Sequence, residues 1–157
     1  MKHPDLLVCL TDGSKYTNKT EHAYSINEKI VTRRIRNIAS VVAADLMAIF
    51  SCLFHMAYLP PAYNNKYLLT DSLSFLHLIT DPHTTNPLIQ RIHLTQQQCY
   101  PHMNPRIYWL PPPRDAVDSA AKQATSLPKI TDHSPIPFTD CRNHFKTFIL
   151  KSWNSLW

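Results

Sequence analysis

Leu6-Leu7-Val8-Cys9-Leu10-Thr11-Asp12-Gly13-Ser14 is the stretch that decides the fold, because its apolar run ends abruptly on a carboxylate. Residues of this kind predict a β-strand buried on both faces, as at the centre of an α/β sheet. Gly13 is the only glycine in the sequence, and glycine lets the backbone approach a ligand closely. Ser14 adds a small hydroxyl group. Taken alone, the Asp-Gly pair is more simply explained as a turn after a strand.

The composition predicts one globular domain with an anionic partner. The chain has 157 residues, of which 44% are hydrophobic, and this is enough to bury a core. Its formal net charge of +5 gives mild support for nucleic acid as the partner. Four widely spaced cysteines without a CxxC pair, and no leader before the first strand, indicate reduced thiols in an intracellular protein that is not secreted.

A zinc site is not expected. Cys99 and His102 have the spacing of zinc ligands, but no second pair accompanies them and structural zinc needs four ligands.

Strands and helices are predicted to alternate along most of the chain. After the first strand, residues 15–21 are predicted to be a polar turn, and further strands are predicted over 23–26, 30–35, 66–70 and 106–110. Helices are predicted over 41–59, 73–79, 88–99, 115–124 and 141–157. We therefore predict an α/β domain over residues 1–125, a proline-rich linker over 126–140 and an amphipathic C-terminal helix over 141–157.

The predicted helix over residues 41–59 is also long enough to span a membrane. Asp45 inside it would cost on the order of 3 kcal/mol to insert, and His55 adds to this cost. A core helix packed on a sheet explains the same residues without a penalty, so we expect no membrane partner.

Four aspartates indicate a possible metal site. Three of them stand where predicted strands end or predicted helices begin: Asp12, Asp71 and Asp118. The fourth, Asp45, lies in the first turns of a predicted helix. Open α/β sheets bind ligands at such places. Carboxylate oxygens suit Mg²⁺ or Mn²⁺, and two such ions support phosphodiester hydrolysis. Without metal, mutual repulsion should raise at least one of the carboxyl pKa values. Taken singly, each aspartate is more simply explained as a helix cap or turn residue.

Five short motifs stand in a fixed order along the chain: TDGSK at 11–15, ASVVAADLMAI at 39–49, LTDSLS at 69–74, YWLP at 108–111 and VDSAAK at 117–122. In this order they resemble ribonuclease H domains. They look specifically like those that end the reverse-transcriptase polyproteins of arthropod non-LTR retrotransposons. The resemblance extends from Leu6 to Lys122, and it places the chain in a longer polyprotein.

The resemblance implies an α/β fold with a five-stranded mixed sheet in the order 3-2-1-4-5, flanked by helices. It implies a hydrolase that cleaves the RNA strand of RNA/DNA hybrids with two Mg²⁺ ions, for which Mn²⁺ can substitute. Asp12 would bridge both ions, Asp71 and Asp118 would each bind one, and Asp45 would reach a metal ion and the RNA 2′-hydroxyl. The expected substrate-binding residues are Gly13, Ser14 and Ser72.

Two departures from the family pattern predict impaired activity. Asp45 stands where the family has glutamate, and a ligand displaced by about 1 Å can cost roughly 100-fold in rate. The loop at residues 111–115, before Asp118, is shorter than in the family and lacks its histidine. One alternative is therefore a catalytically inactive, nucleic-acid-binding remnant of a retroelement polyprotein. A second alternative is a small interaction protein that binds a partner through Phe145, Phe148 and Trp153 on its final helix.

Overall fold

The computed structural model describes residues 6–60, 63, 65–99, 104–111, 115–124 and 126–155. Within these ranges, one sheet contains the strands β1 (Leu6–Tyr16), β2 (Lys19–Ile26), β3 (Lys29–Ile35), β4 (Asn65–Thr70) and β5 (Arg106–Trp109). The helices are α1 (Val41–Ala57), α2 (Leu73–Thr80), α3 (Pro87–Cys99), α4 (Asp115–Ala124) and α5 (Phe138–Asn154). His102, residues 112–114 of the shortened loop and Trp157 lie outside the described residues.

The sheet is mixed, with the strand order β3-β2-β1-β4-β5. β1 pairs antiparallel with β2, which pairs antiparallel with β3. On its other side β1 pairs parallel with β4, and β4 pairs parallel with β5. The predicted order 3-2-1-4-5 with flanking helices is confirmed.

Helix α1 covers one face of the sheet. Ser40 caps it, since the Ser40 hydroxyl accepts a hydrogen bond from the Ala43 N–H at 3.1 Å. The core on this side joins strand residues such as Leu7 to α1 and to α2 and α3, with Phe75 and Ile89 fully buried. Among the described residues, no helix combines the length and hydropathy that crossing a membrane requires.

Helix α4 covers part of the opposite face, where Val117 and Ala121 pack on Ala23 and Leu10. This limited cover corrects one prediction, since β1 is not buried on both of its faces. Leu6 and Val8, before Leu10 in the same strand, remain about 36–40% exposed. The long apolar run therefore alternates between buried and exposed positions in its first half.

The predicted turn over residues 15–21 is largely wrong, because β1 runs on to Tyr16 and β2 begins at Lys19. Only Thr17 and Asn18 remain as a two-residue turn. The register pairs Ser14 with Glu21, and Glu21 is completely buried. Polar residues thus form the ends of β1 and β2 that flank this turn. Prediction from the spacing of hydrophobic residues misses strands of this kind.

Residues 126–137, which we call the edge segment, run along the free edge of β3. The N–H groups of Thr131 and Asp132 donate to the carbonyl of Arg34 at 2.9 and 3.0 Å, and the Arg34 N–H donates to the Thr131 hydroxyl at 2.9 Å. Asp132 is buried and bonds to His22 at 3.1 Å. Helix α5 then begins at Phe138, earlier than the predicted residue 141. The division of the chain at residues 125 and 140 stays a prediction.

Candidate active site

Asp12 and Gly13 are adjacent in β1 and therefore face opposite sides of the sheet. Asp12 lies opposite Ala23, on the side that α4 covers, and its Oδ2 atom is closed off from solvent. Gly13 faces α1. A Cβ atom at residue 13 would lie 2.5 Å from the backbone nitrogen of Asp45 and 2.7 Å from the carbonyl carbon of Ala44. Glycine at this position therefore allows β1 to approach the start of α1 closely.

Asp45 is held at this point of closest approach. The backbone N–H of Gly13 and the hydroxyl of Ser72 both hydrogen-bond to its carboxylate. The pKa of Asp45 is raised to about 7, chiefly by burial and also by the Asp12 and Asp71 carboxylates, while the two hydrogen bonds oppose the shift. The predicted rise in at least one carboxyl pKa is confirmed, although burial is its largest cause. Because the charges of Asp12 and Asp71 act on the pKa of Asp45, these three predicted acids lie near one another.

Asp71 follows β4 directly, as Asp12 follows Thr11 in β1. Since Thr11 pairs with Thr70 in the parallel register, Asp12 and Asp71 occupy adjacent positions at the same edge of the sheet. The backbone at Asp71 is fixed by a hydrogen bond from the Trp109 indole N–H to its carbonyl at 3.1 Å.

Ser72 links this edge to two helices. Its backbone N–H donates to the Thr70 hydroxyl at 3.2 Å, and its own hydroxyl caps α2 by accepting from the Phe75 N–H at 3.3 Å. The same hydroxyl reaches Asp45 on α1. Ser72 is thus positioned to orient a carboxylate.

Asp118 approaches the site from α4 but is joined to a lysine. Lys122 lies one helical turn later and its ammonium group is 2.7 Å from the Asp118 carboxylate. The pKa of Lys122 is raised by its hydrogen bond to Asp118, and Asp12 contributes to the same shift. The ammonium group therefore lies in the field of both acids. Lys122 was not predicted as a site residue, although its spacing of four residues from Asp118 is the signal for such a pair.

The structure brings Asp12, Asp45, Asp71, Gly13 and Ser72 together, whereas Asp118 is paired with Lys122 on α4. Ser14 lies two residues beyond Asp12 and faces the same side of the sheet. Oxygen donors of this kind suit Mg²⁺ chemically. Within the part of the chain that the structure describes, however, Asp, Glu, His and Cys side chains form no group of three or more that could hold a metal ion.

No protein-family model matches this sequence, and the comparison with curated proteins found no match. Solved structures do match. RNase H1 from the halophilic archaeon Halobacterium salinarum NRC-1 has 19% sequence identity and a TM-score of 0.56, over 76% of this chain and 96% of that one. The N-terminal RNase H domain of a Mycobacterium tuberculosis protein has 15% identity and a TM-score of 0.56, over 77% and 99%.

A third similar structure is LC11-RNase H1, isolated from compost by a metagenomic approach. It has 14% identity and a TM-score of 0.57, over 78% of this chain and 99% of that one. At identities this low the likeness concerns the fold. The strand order of the sheet and its flanking helices agree with these structures, and the chain has a ribonuclease H-like fold.

Proposed function

We propose that this chain is a hydrolase that cleaves the RNA strand of RNA/DNA hybrids endonucleolytically with two Mg²⁺ ions, for which Mn²⁺ can substitute. The observation that carries the proposal is the position of Asp45, which lies half-buried next to Asp12 and Asp71 where the parallel pairing of β1 with β4 ends. Open sheets with parallel strands bind ligands at this edge. The solved structures with the same fold are ribonucleases H by name.

The residues of the candidate site would have distinct roles in metal binding and substrate binding. The metal ions would be held by Asp12, Asp45, Asp71 and Asp118. When bound, such ions activate water and stabilise the leaving oxygen. The Gly13 N–H and the Ser72 hydroxyl orient the Asp45 carboxylate. Ser14, which is partly exposed, can offer its hydroxyl to a phosphate oxygen of the substrate.

Lys122 is paired with Asp118 in the structure, and Asp12 also acts on its ammonium group. A metal ion that took Asp118 as a ligand would compete with this lysine. We infer that the ammonium group keeps the acids together before an ion and a substrate arrive.

The proposal also covers the partner, the origin and the cellular location of the chain. The net charge of +5 supports nucleic acid as the partner. An origin in an arthropod non-LTR retrotransposon and a place in a longer reverse-transcriptase polyprotein rest on the order of the sequence motifs. An intracellular location rests on the four widely spaced cysteines without a CxxC pair.

The test is cleavage of a labelled RNA/DNA hybrid by wild type and two variants, with Mg²⁺ or Mn²⁺. Asp12→Asn removes the charge at the centre of the acids and should lower cleavage by at least about 100-fold. Asp45→Glu extends the carboxylate by one methylene and should raise cleavage, by up to about 100-fold if placement limits the rate. The shortened loop remains, so recovery should be partial, and Mn²⁺ should give the higher rate.

Asp81→Asn is the matched control, because Asp81 is another aspartate but lies at the end of α2. It should leave cleavage unchanged. Equal cleavage in wild type and Asp12→Asn would show that the activity comes from a contaminant or another site. No cleavage in any variant, even with Mn²⁺, would contradict the proposal and support the inactive remnant.

A further inference from the structure

Helix α5 turns its polar face toward the rest of the chain. A cavity of about 660 Å³ separates it from β1 and the start of α1. On the α5 side this cavity is lined by five polar residues and one apolar residue, Phe148; the polar ones are Asp140, Asn143, His144, Thr147 and Lys151. The Asp140 carboxylate accepts a hydrogen bond from the Ser40 N–H at 2.7 Å and so ties α5 to the N-terminus of α1.

The apolar face of α5 points to solvent. Phe138, Phe145 and Ile149 are 75%, 61% and 61% exposed, and no described residue of α5 is buried. At 100° per residue these three side chains lie within an arc of about 40°. Surface helices of globular domains normally turn such a stripe inward. Large apolar side chains left in water forgo the free energy of burial, so the face favours a covering partner.

The charges around this stripe limit what can cover it. Arg142 and Lys146 border it on one side, at about 40° and 80° from Phe138 on the helical projection. Asp140 is the only acidic residue in α5, and it lies on the opposite face, hydrogen-bonded to Ser40. The outward face therefore combines apolar side chains with two cations and no carboxylate.

A second copy of the chain would fit this face poorly, because two α5 helices facing each other would bring Arg142 and Lys146 together without an acid. A membrane-surface helix keeps its cationic polar face in water. In α5 the polar face opposite the stripe, which includes Lys151, is turned toward the domain itself. Helices that pack along an apolar stripe choose their partners through the charges bordering it.

We propose that the outward face of α5, formed by Phe138, Phe145 and Ile149 with Arg142 and Lys146, docks an acidic amphipathic helix of another protein. The partner would supply an apolar stripe bordered by Glu or Asp. This inference is independent of the proposed hydrolase activity, since none of the five residues belongs to the candidate active site.

The test uses the full chain and two synthetic helical peptides with the same leucine stripe. One peptide carries Glu beside the stripe and the other carries Lys, and binding is measured by fluorescence anisotropy. We expect the Glu peptide to bind at least tenfold more tightly. The double substitution Phe145→Ala with Ile149→Ala should weaken this binding at least tenfold, and Arg142→Glu with Lys146→Glu should reverse the preference between the peptides.

Tyr58→Ala is the matched control, because Tyr58, directly after α1, is an exposed aromatic residue at 74% exposure. It should leave peptide binding unchanged, and far-ultraviolet circular dichroism verifies that every variant keeps its helices. Equal affinity for the two peptides, or no effect of the double alanine substitution, would overturn the inference. So would binding only to phosphatidylserine vesicles, or sedimentation as a dimer that the double alanine substitution abolishes.

Discussion

A methyl group at residue 13 would meet the backbone of α1, which cannot turn aside as a flexible side chain can. Its nearest neighbours would be the Asp45 nitrogen at 2.5 Å, the Asp45 Oδ1 atom at 2.6 Å and the Ala44 carbonyl carbon at 2.7 Å. We expect Gly13→Ala to lower the free energy of unfolding by about 1–3 kcal/mol, the usual cost of overpacking. Urea unfolding measures this. Ser14→Ala, at the next residue, should change stability by less than about 0.5 kcal/mol, and equal effects of the two substitutions would contradict the close approach.

Glu21 is a second residue with a measurable signature, because it is fully buried in β2. Burial raises the pKa of Glu21 from 4.5 to about 7, against the lowering effect of Arg34 and Lys19. Since the pKa is higher in the folded chain than in the unfolded chain, the protonated group favours folding. Its contribution is complete below pH 4.5 and is lost as the pH rises through about 7.

We therefore expect Glu21→Gln to raise the free energy of unfolding at pH 8 by on the order of 2 kcal/mol relative to wild type, and to change it little at pH 4.5. Urea unfolding of both proteins in EDTA at the two pH values measures the difference. EDTA is needed because Asp45 titrates near the same pH and would respond to metal. The same difference at both pH values would show that Glu21 is not the titrating group.

At the scale of secondary structure elements, the edge segment is held by one buried pair. The imidazole of His22 donates from Nε2 to the Asp132 carboxylate at 3.1 Å. Burial lowers the pKa of His22 and keeps the ring neutral, despite Asp132. For Asp132 burial acts in the opposite direction, but hydrogen bonds from His22 and Ser134 hold the pKa of its carboxyl well below the ordinary value. The carboxylate thus stabilises the fold at neutral pH, and this contribution is lost only in strong acid.

We expect Asp132→Ala to lower the free energy of unfolding at pH 7 by about 1–3 kcal/mol, because it leaves a buried imidazole N–H without its acceptor. It should also speed limited proteolysis within residues 126–137. His133→Ala is the control, since His133 is the exposed neighbour of Asp132. If the two variants were cut at the same rate, Asp132 would not hold the edge segment.

These elements also show what a sequence can and cannot reveal. The start of α1 follows from its Ser40 cap, and its end from the two prolines that follow at residues 60 and 61. The parallel pairing of β1 with β4 follows from the family resemblance and places Asp12 beside Asp71. Asp132, in contrast, lies in a proline-rich stretch and bonds to a histidine 110 residues earlier. A local sequence pattern does not reveal such a contact. It also does not reveal to which side α5 turns its apolar face.

For the whole molecule, the net charge of +5 is the property that bears on a nucleic-acid partner. Cations that neutralise phosphates release counterions, and the logarithm of the affinity then falls by about 0.9 per contact for each tenfold rise in salt. We expect the affinity for an RNA/DNA hybrid to fall steeply between low and moderate salt, and to depend little on base sequence. Titrations at several salt concentrations measure this. An affinity independent of salt would exclude the phosphate backbone as the partner.

The bond between His22 and Asp132 also has a consequence for the order in which the chain can fold during synthesis. The ribosome completes β1, β2 and β3 long before it adds Asp132, so the three strands can pair while the outer edge of β3 stays open. An open strand edge can pair with other chains. The outer edge of β3 therefore stays open to such pairing until the edge segment emerges, and a pause in translation before it would prolong that interval.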